Sequence, residues 1–111
     1  MDNCIFCRIL KGEIPSKKVY EDDLFYAFED IAKKAPVHVL IIPKEHINSM
    51  NEVEDFALVG KLIKTAREIA AMMGIAQDGY TLINNCGLNG GQTVFHLHFH
   101  LLGGEKITWF E

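Results

Sequence analysis

Nowhere does the chain hold the roughly 18 consecutive apolar residues that mark a membrane-spanning helix. The opening Met1-Asp2-Asn3-Cys4 also lacks the basic start and apolar run of a secretory signal. Both absences predict a cytoplasmic protein with no membrane partner. Cysteine is scarce and odd in number: three in 111 residues, two of them at Cys4 and Cys7. That excludes a secreted disulfide framework and points to metal or thiol chemistry. An excess of positive charge is missing too, since 11 Lys and Arg face 15 Asp and Glu for a net charge of −4. Lys17-Lys18 and Lys33-Lys34 are the only basic pairs. A nucleic-acid backbone calls for a basic face, so neither DNA nor RNA is expected as a partner. A small phosphate ligand needs only a local site. With no repeat, linker or low-complexity stretch, residues 1–111 read as one domain of ordinary globular composition, 49% hydrophobic and 23% charged.

Hydrophobic spacing predicts a short helix over Cys4 to Lys11, ended by Gly12. Val19 to Glu21 and Leu24 to Glu29 read as two short strands around Asp22-Asp23, and Val37 to Ile42 as a stronger one between Pro36 and Pro43. A long helix follows, with Asn51 and Glu54 as a capping box. Its apolar face is Phe56, Val59, Leu62, Ile63, Ala66, Ile69, Ala70 and Met73, and Gly74 ends it. Tyr80 to Asn85 and Thr93 to Leu102 are the last strands expected, on either side of a glycine-rich loop at Gly87 to Gly91. This order predicts an α+β domain with an antiparallel sheet.

In Phe95-His96-Leu97-His98-Phe99-His100-Leu101, imidazoles alternate with large apolar residues. On a strand that alternation sends Phe95, Leu97, Phe99 and Leu101 into a core and the three imidazoles to the other face. His38, inside the strongest other strand, is placed to join them. Three readings are open: a polar outer face, a metal held by the row, or nucleophilic catalysis at phosphorus. The third is favoured because histidine, with an ordinary pKa of about 6.5, is mostly neutral at neutral pH and nucleophilic when neutral. His98, central in the row, is the expected nucleophile, with a neighbouring imidazole to bind phosphate oxygens or protonate the leaving group. Upstream, the glycines of Asn85 to Thr93 let backbone amides approach an anion, although Asn89-Gly90 is equally a hairpin turn.

These residues resemble the histidine triad (HIT) superfamily, whose motif is His-x-His-x-His followed by two apolar residues. The resemblance covers Cys4 to Cys7, Phe28-Glu29-Asp30-Ile31, Ala35 to His38, Ile42 to Ile47, Gly90 to Thr93 and His96 to Leu102. Leu101 to Gly104 and Trp109 are similar to the Hint-like branch of purine nucleoside phosphoramidases. It implies a small α+β domain paired into a homodimer with a continuous sheet. It also implies hydrolysis at the α-phosphate of a purine nucleotide conjugate through a nucleotidyl-histidine at His98. His100 would assist the leaving group and His38 would orient it. Asp30 would hold the ribose hydroxyls, Phe28 and Ile31 the base, and Asn85, Gln92 and Thr93 the phosphate and its loop. Trp109-Phe110 would cover the neighbouring site or pack within its own subunit. Cys86 departs from the acidic residue that Hint-type chains often carry there.

Cys4-x-x-Cys7 reads as a zinc half-site, a redox pair or two buried thiols. Tetrahedral zinc needs two further ligands, for which His46 and His96 are the obvious donors, as in zinc-bearing members of the superfamily. Such a closed Zn²⁺ site would be structural and would leave catalysis to His98 and His100. Two other functions stay open: hydrolysis of dinucleoside polyphosphates or nucleoside diphosphates, and a nucleotide-binding, zinc-stabilised interaction protein with incidental hydrolysis.

Overall fold

The fold was analysed in a computed structural model that describes residues 3–108, so the expectation for Trp109 and Phe110 lies outside the described residues. The elements are α1 (Ile5–Leu10), β1 (Lys18–Glu21), β2 (Phe25–Glu29), β3 (Val37–Pro43), α2 (Phe56–Met72), β4 (Tyr80–Asn84) and β5 (Phe99–Gly103). The strands form one antiparallel sheet in the order β1-β2-β3-β5-β4. No helix among the described residues is long and apolar enough to cross a membrane.

Strand alternation gives the sheet two different faces. Ala27, Val39, Ile41, Phe99 and Leu101 pack on one face against Val59, Leu62, Ala66, Ile69 and Ala70 of α2. Phe28, Leu40 and Ile42 face the other way and meet Phe6 and Ile9 of α1. A six-residue helix is too short to persist by its own hydrogen bonds, so α1 depends on this packing and on its cap, where the Cys4 Sγ accepts from the Cys7 amide at 3.3 Å.

Two expected boundaries move. The capping box at Asn51 and Glu54 does not form. Asn51 sits in a 3₁₀ turn, Met50–Glu52, capped by Ser49, and α2 begins instead under Asp55, whose carboxylate accepts from the Ala57 amide at 3.0 Å. Phe56 and Ile63, expected on the buried face, are 61% and 47% exposed, on a stripe turned away from the sheet.

The last strand is shorter than the alternation predicts, with Thr93 to His98 outside the sheet. Side chains and a distant loop take the backbone groups that a ladder would use. The His96 carbonyl accepts from His98 Nδ1 at 2.7 Å, the His98 carbonyl from Asn84 Nδ2 at 2.9 Å, and the Leu97 amide donates to Ile47 at 2.6 Å. Leu97, Phe99 and Leu101 are buried as expected, but Phe95 is 45% exposed, because the chain has not yet entered the sheet there. His38 and His100 therefore lie on strands, whereas His96 and His98 lie on the approach to one.

β5 ends against the turn after α2. A methyl group added at Gly103 would lie 2.7–3.1 Å from Ile75 side-chain atoms, which are themselves buried. Gly103→Ala should cost about 1–3 kcal/mol by overpacking, read as a lower denaturant midpoint at unchanged slope. A midpoint equal to wild type would show that Ile75 yields freely.

Candidate active site and metal centre

The register of β3 and β5 puts His38 opposite Leu102 and Leu40 opposite His100. Both imidazoles thus sit on the α1 face, diagonal to one another. His38 Nε2 and His100 Nδ1 are 2.9 Å apart. The proton between them can be placed by elimination. The Lys34 amide donates to His38 Nδ1 at 3.2 Å, so that nitrogen is an acceptor. Burial pushes His38 below its ordinary pKa of 6.5, which keeps the ring neutral. Its single proton is therefore on Nε2 and is donated to His100 Nδ1. A neutral His100 must then carry its own proton on Nε2. Burial first, then the neighbouring His98 and His38, holds the His100 pKa at about 4, so the neutral state prevails.

His98 has the opposite tautomer. A carbonyl only accepts, so the 2.7 Å contact with His96 O fixes the proton on His98 Nδ1. Burial lowers the His98 pKa as well, leaving Nε2 with a bare lone pair. The His98 and His100 ring centroids are 5.2 Å apart. One ring offers a lone pair and its neighbour a proton.

Beside them lies a cavity of about 680 Å³ bounded by Phe6, Ile9, Ile14, Phe28, Asp30 and Ile31. Phe28 is buried at its wall, and Ile31 is fully exposed at its rim. Asp30 links the cavity to the histidines, with Oδ2 3.4 Å from His38 Nε2 and Oδ1 accepting from the Ala32 amide at 2.9 Å. In the loop, Asn85 Nδ2 donates to the Gly90 carbonyl at 2.8 Å. Buried Gln92 accepts from the Gly87 amide at 2.8 Å and donates to the carbonyls of Asn48 and Val94 at 2.7 and 3.0 Å. Thr93 is not brought to this cavity; it lines a second one, of about 530 Å³, with Cys4, His46 and Asn48.

Cys4, Cys7, His46 and His96 converge, their ligand atoms all within 4.8 Å of one another. Individual contacts are 3.4 Å for Cys4 Sγ to His96 Nδ1, 3.6 Å for Cys7 Sγ to the same atom, and 3.2 Å for Cys7 Sγ to His46 Nδ1. Tetrahedral zinc with Zn–S and Zn–N bonds of about 2.3 and 2.0–2.1 Å separates its ligands by about 3.4–3.8 Å. The far nitrogens are committed elsewhere, His96 Nε2 to the Pro43 carbonyl at 2.8 Å and His46 Nε2 to Asn48 Oδ1 at 2.6 Å. Both Nδ1 lone pairs are left facing the thiols, so the donor set fits zinc. Asp30, His38 and His100 also form a compact group. There the 2.9 Å nitrogen–nitrogen contact is shorter than tetrahedral zinc sets and has the length of a hydrogen bond.

Residues 11–107 match the family described as the HIT domain. The chain belongs to the HIT family. An uncharacterized HIT-like protein of Synechococcus elongatus is 49% identical over 110 residues, 97% of this chain and 96% of its own. The purine nucleoside phosphoramidase of Escherichia coli is 48% identical over 108 residues, 96% of this chain and 91% of its own. A solved HIT family hydrolase from Clostridium thermocellum superposes with a TM-score of 0.94 at 50% identity, covering 97% of this chain and 96% of that one.

Three residues of this HIT domain escaped the sequence reading as parts of the site. Phe6 packs edge-on against His98 and Phe28, with centroids at 5.1 and 5.5 Å, and so joins the imidazoles to the cavity. Asn84 holds the His98 carbonyl, and Asn48 holds His46. The position of Phe6 between two cysteines is the one available signal, since those cysteines fix the first turn of the helix that carries it.

Because the folded state protonates His100 only near 4, the unfolded chain binds that proton first as pH falls from 6.5. Folding stability should therefore drop between 6.5 and about 4 and be independent of this group above 6.5. Nitrogen-15 NMR should show a neutral Nε2–H tautomer of His100 across that interval. A midpoint near 6.5, or a proton on Nδ1, would contradict the relay from Lys34.

Proposed function

We propose that the protein is a HIT-family hydrolase that cleaves purine nucleoside phosphoramidates or related adenylates at the α-phosphate. The observation that carries this reading is the pair of opposite tautomers on His98 and His100. His98 Nε2 attacks phosphorus, and the bond from phosphorus to the leaving nitrogen breaks. The anionic substrate favours an extra proton on the His38–His100 pair, and the His100 Nε2 proton passes to that nitrogen, so the amine departs neutral and the pair returns to its neutral state. Water then attacks the nucleotidyl-histidine, His100 Nε2 takes a proton from it, and nucleoside monophosphate leaves with both rings restored. His38 holds His100 in the tautomer that serves both steps. Asp30 would receive the ribose hydroxyls, with Phe28 and Ile31 on the base, a reading supported by the cavity the three share. Asn85, Gln92 and Thr93 belong to the loop that receives the phosphate. The Escherichia coli relative supports the phosphoramidate class by its description as a purine nucleoside phosphoramidase.

Cys4, Cys7, His46 and His96 would hold a structural zinc ion, which when bound cross-links α1 to the ends of β3 and to the approach to β5. Its four protein ligands leave no position for substrate. Burial, with the Cys4 thiol alongside, raises the Cys7 pKa, so loading releases a proton. A homodimer is supported by the outer edge of β4, which no other strand among the described residues pairs, and by the exposed Phe56 and Ile63 on α2. The protein is expected in the cytoplasm.

AMP release from adenosine phosphoramidate should fall by about 10⁴-fold or more in His98→Ala, and by about 10²–10⁴-fold in His100→Ala. Both variants should keep the wild-type far-ultraviolet circular dichroism. Full activity of His98→Ala would overturn the mechanism, and preference for a diadenosine polyphosphate would change the substrate class. Native mass spectrometry should show a dimer carrying one zinc per chain, with the metal lost in Cys4→Ser. A metal-free monomer would remove both assignments.

A further inference from the structure

Asn48 stands where two parts of the molecule meet. Its Nδ2 lies 3.3 Å from each carboxylate oxygen of Glu52, and a carboxylate only accepts. That fixes the amide orientation and turns Oδ1 toward His46, 2.6 Å from Nε2. The His46 proton is thereby held on Nε2, and its Nδ1 lone pair is left facing Cys7 Sγ. The backbone carbonyl of the same residue accepts from Gln92 Nε2 at 2.7 Å, while Gln92 Oε1 accepts from the Gly87 amide at 2.8 Å. An unbroken chain of hydrogen bonds thus runs from a metal-facing imidazole to the amide that opens the glycine-rich loop. Gln92 is buried and gives its acceptor and one amide proton to this chain and the other amide proton to the Val94 carbonyl, so one fully hydrogen-bonded side chain joins the two ends.

We propose that Asn48 is a positioning residue through which the metal centre and the loop 86–93 share one equilibrium: zinc loading orders the loop, and an ordered loop tightens zinc. The inference rests on the zinc assignment above and deepens it. The metal centre then does more than anchor α1, because it sets how well the loop amides are arranged for phosphate. By reciprocity of coupled equilibria, any change in loop order returns as a change in metal affinity.

The test is a double-variant cycle on zinc affinity, measured by chelator competition on the full chain. Asn48→Leu removes the acceptor for His46 and should weaken zinc by about 10–100-fold. Gln92→Met touches no metal ligand, yet should weaken zinc by about fivefold or more. The double variant should lose less than the product of the two. Gln92→Glu, which keeps the shape and the acceptor for Gly87 but loses the amide donors, serves if Gln92→Met does not fold. Saturating zinc should also slow hydrogen exchange of the Gly87 amide in wild type and not in Asn48→Leu. Wild-type zinc affinity in both Gln92 variants, multiplicative losses, or equal protection of Gly87 in both chains would overturn the coupling while leaving the metal centre intact. A wild-type chain that takes up no zinc would overturn both.

Discussion

A neutral imidazole has one proton for two nitrogens, and the arrangement of this site follows from where that proton is held. The bond from His98 Nδ1 to the His96 carbonyl fixes it on one ring, and the Lys34 amide fixes it on His38 and, through His38, on His100. Burial keeps all three rings neutral, because charging them inside the protein costs more than charging them in water. The bond at His98 also has a cost to the fold. It takes a carbonyl that a neighbouring strand would have filled, and the sheet gives way there so that the side chain can be held.

His96 joins the two halves of the site. Its carbonyl holds His98, its Nε2 holds the end of β3, and its Nδ1 faces the two thiols. One residue thus touches the proposed nucleophile, the sheet and the cysteine pair. Phe6 repeats this role from the other side, carried by a helix whose first turn contains Cys4 and Cys7.

Much of this was legible in the amino-acid order because period-two alternation and local turn chemistry are written in neighbouring residues. His38 and His100 fell on strands, and Leu97, Phe99 and Leu101 in the core, for that reason. The convergence of Cys4, Cys7, His46 and His96 was readable from residue type, since few other roles suit that combination of donors. What failed depends on partners far along the chain. The early end of β5 is set by Asn84 and Ile47, and α2 starts at Asp55 because Ser49 captures Asn51 in a separate turn. Alternation alone could not show that Phe95 precedes the sheet, nor could spacing show Asn48 beside His46.

The His38–His100 bond crosses from β3, the middle strand of the sheet, to its inner neighbour β5, while α1 and the loop 86–93 lie outside it. Central ladders open only when the whole domain unfolds, whereas short helices and loops open far more often. On warming, then, the proton relay would outlast the walls of the cavity. Such a domain fails first by losing its hold on a ligand and only last by losing its chemistry, so its usable temperature range is set at the periphery.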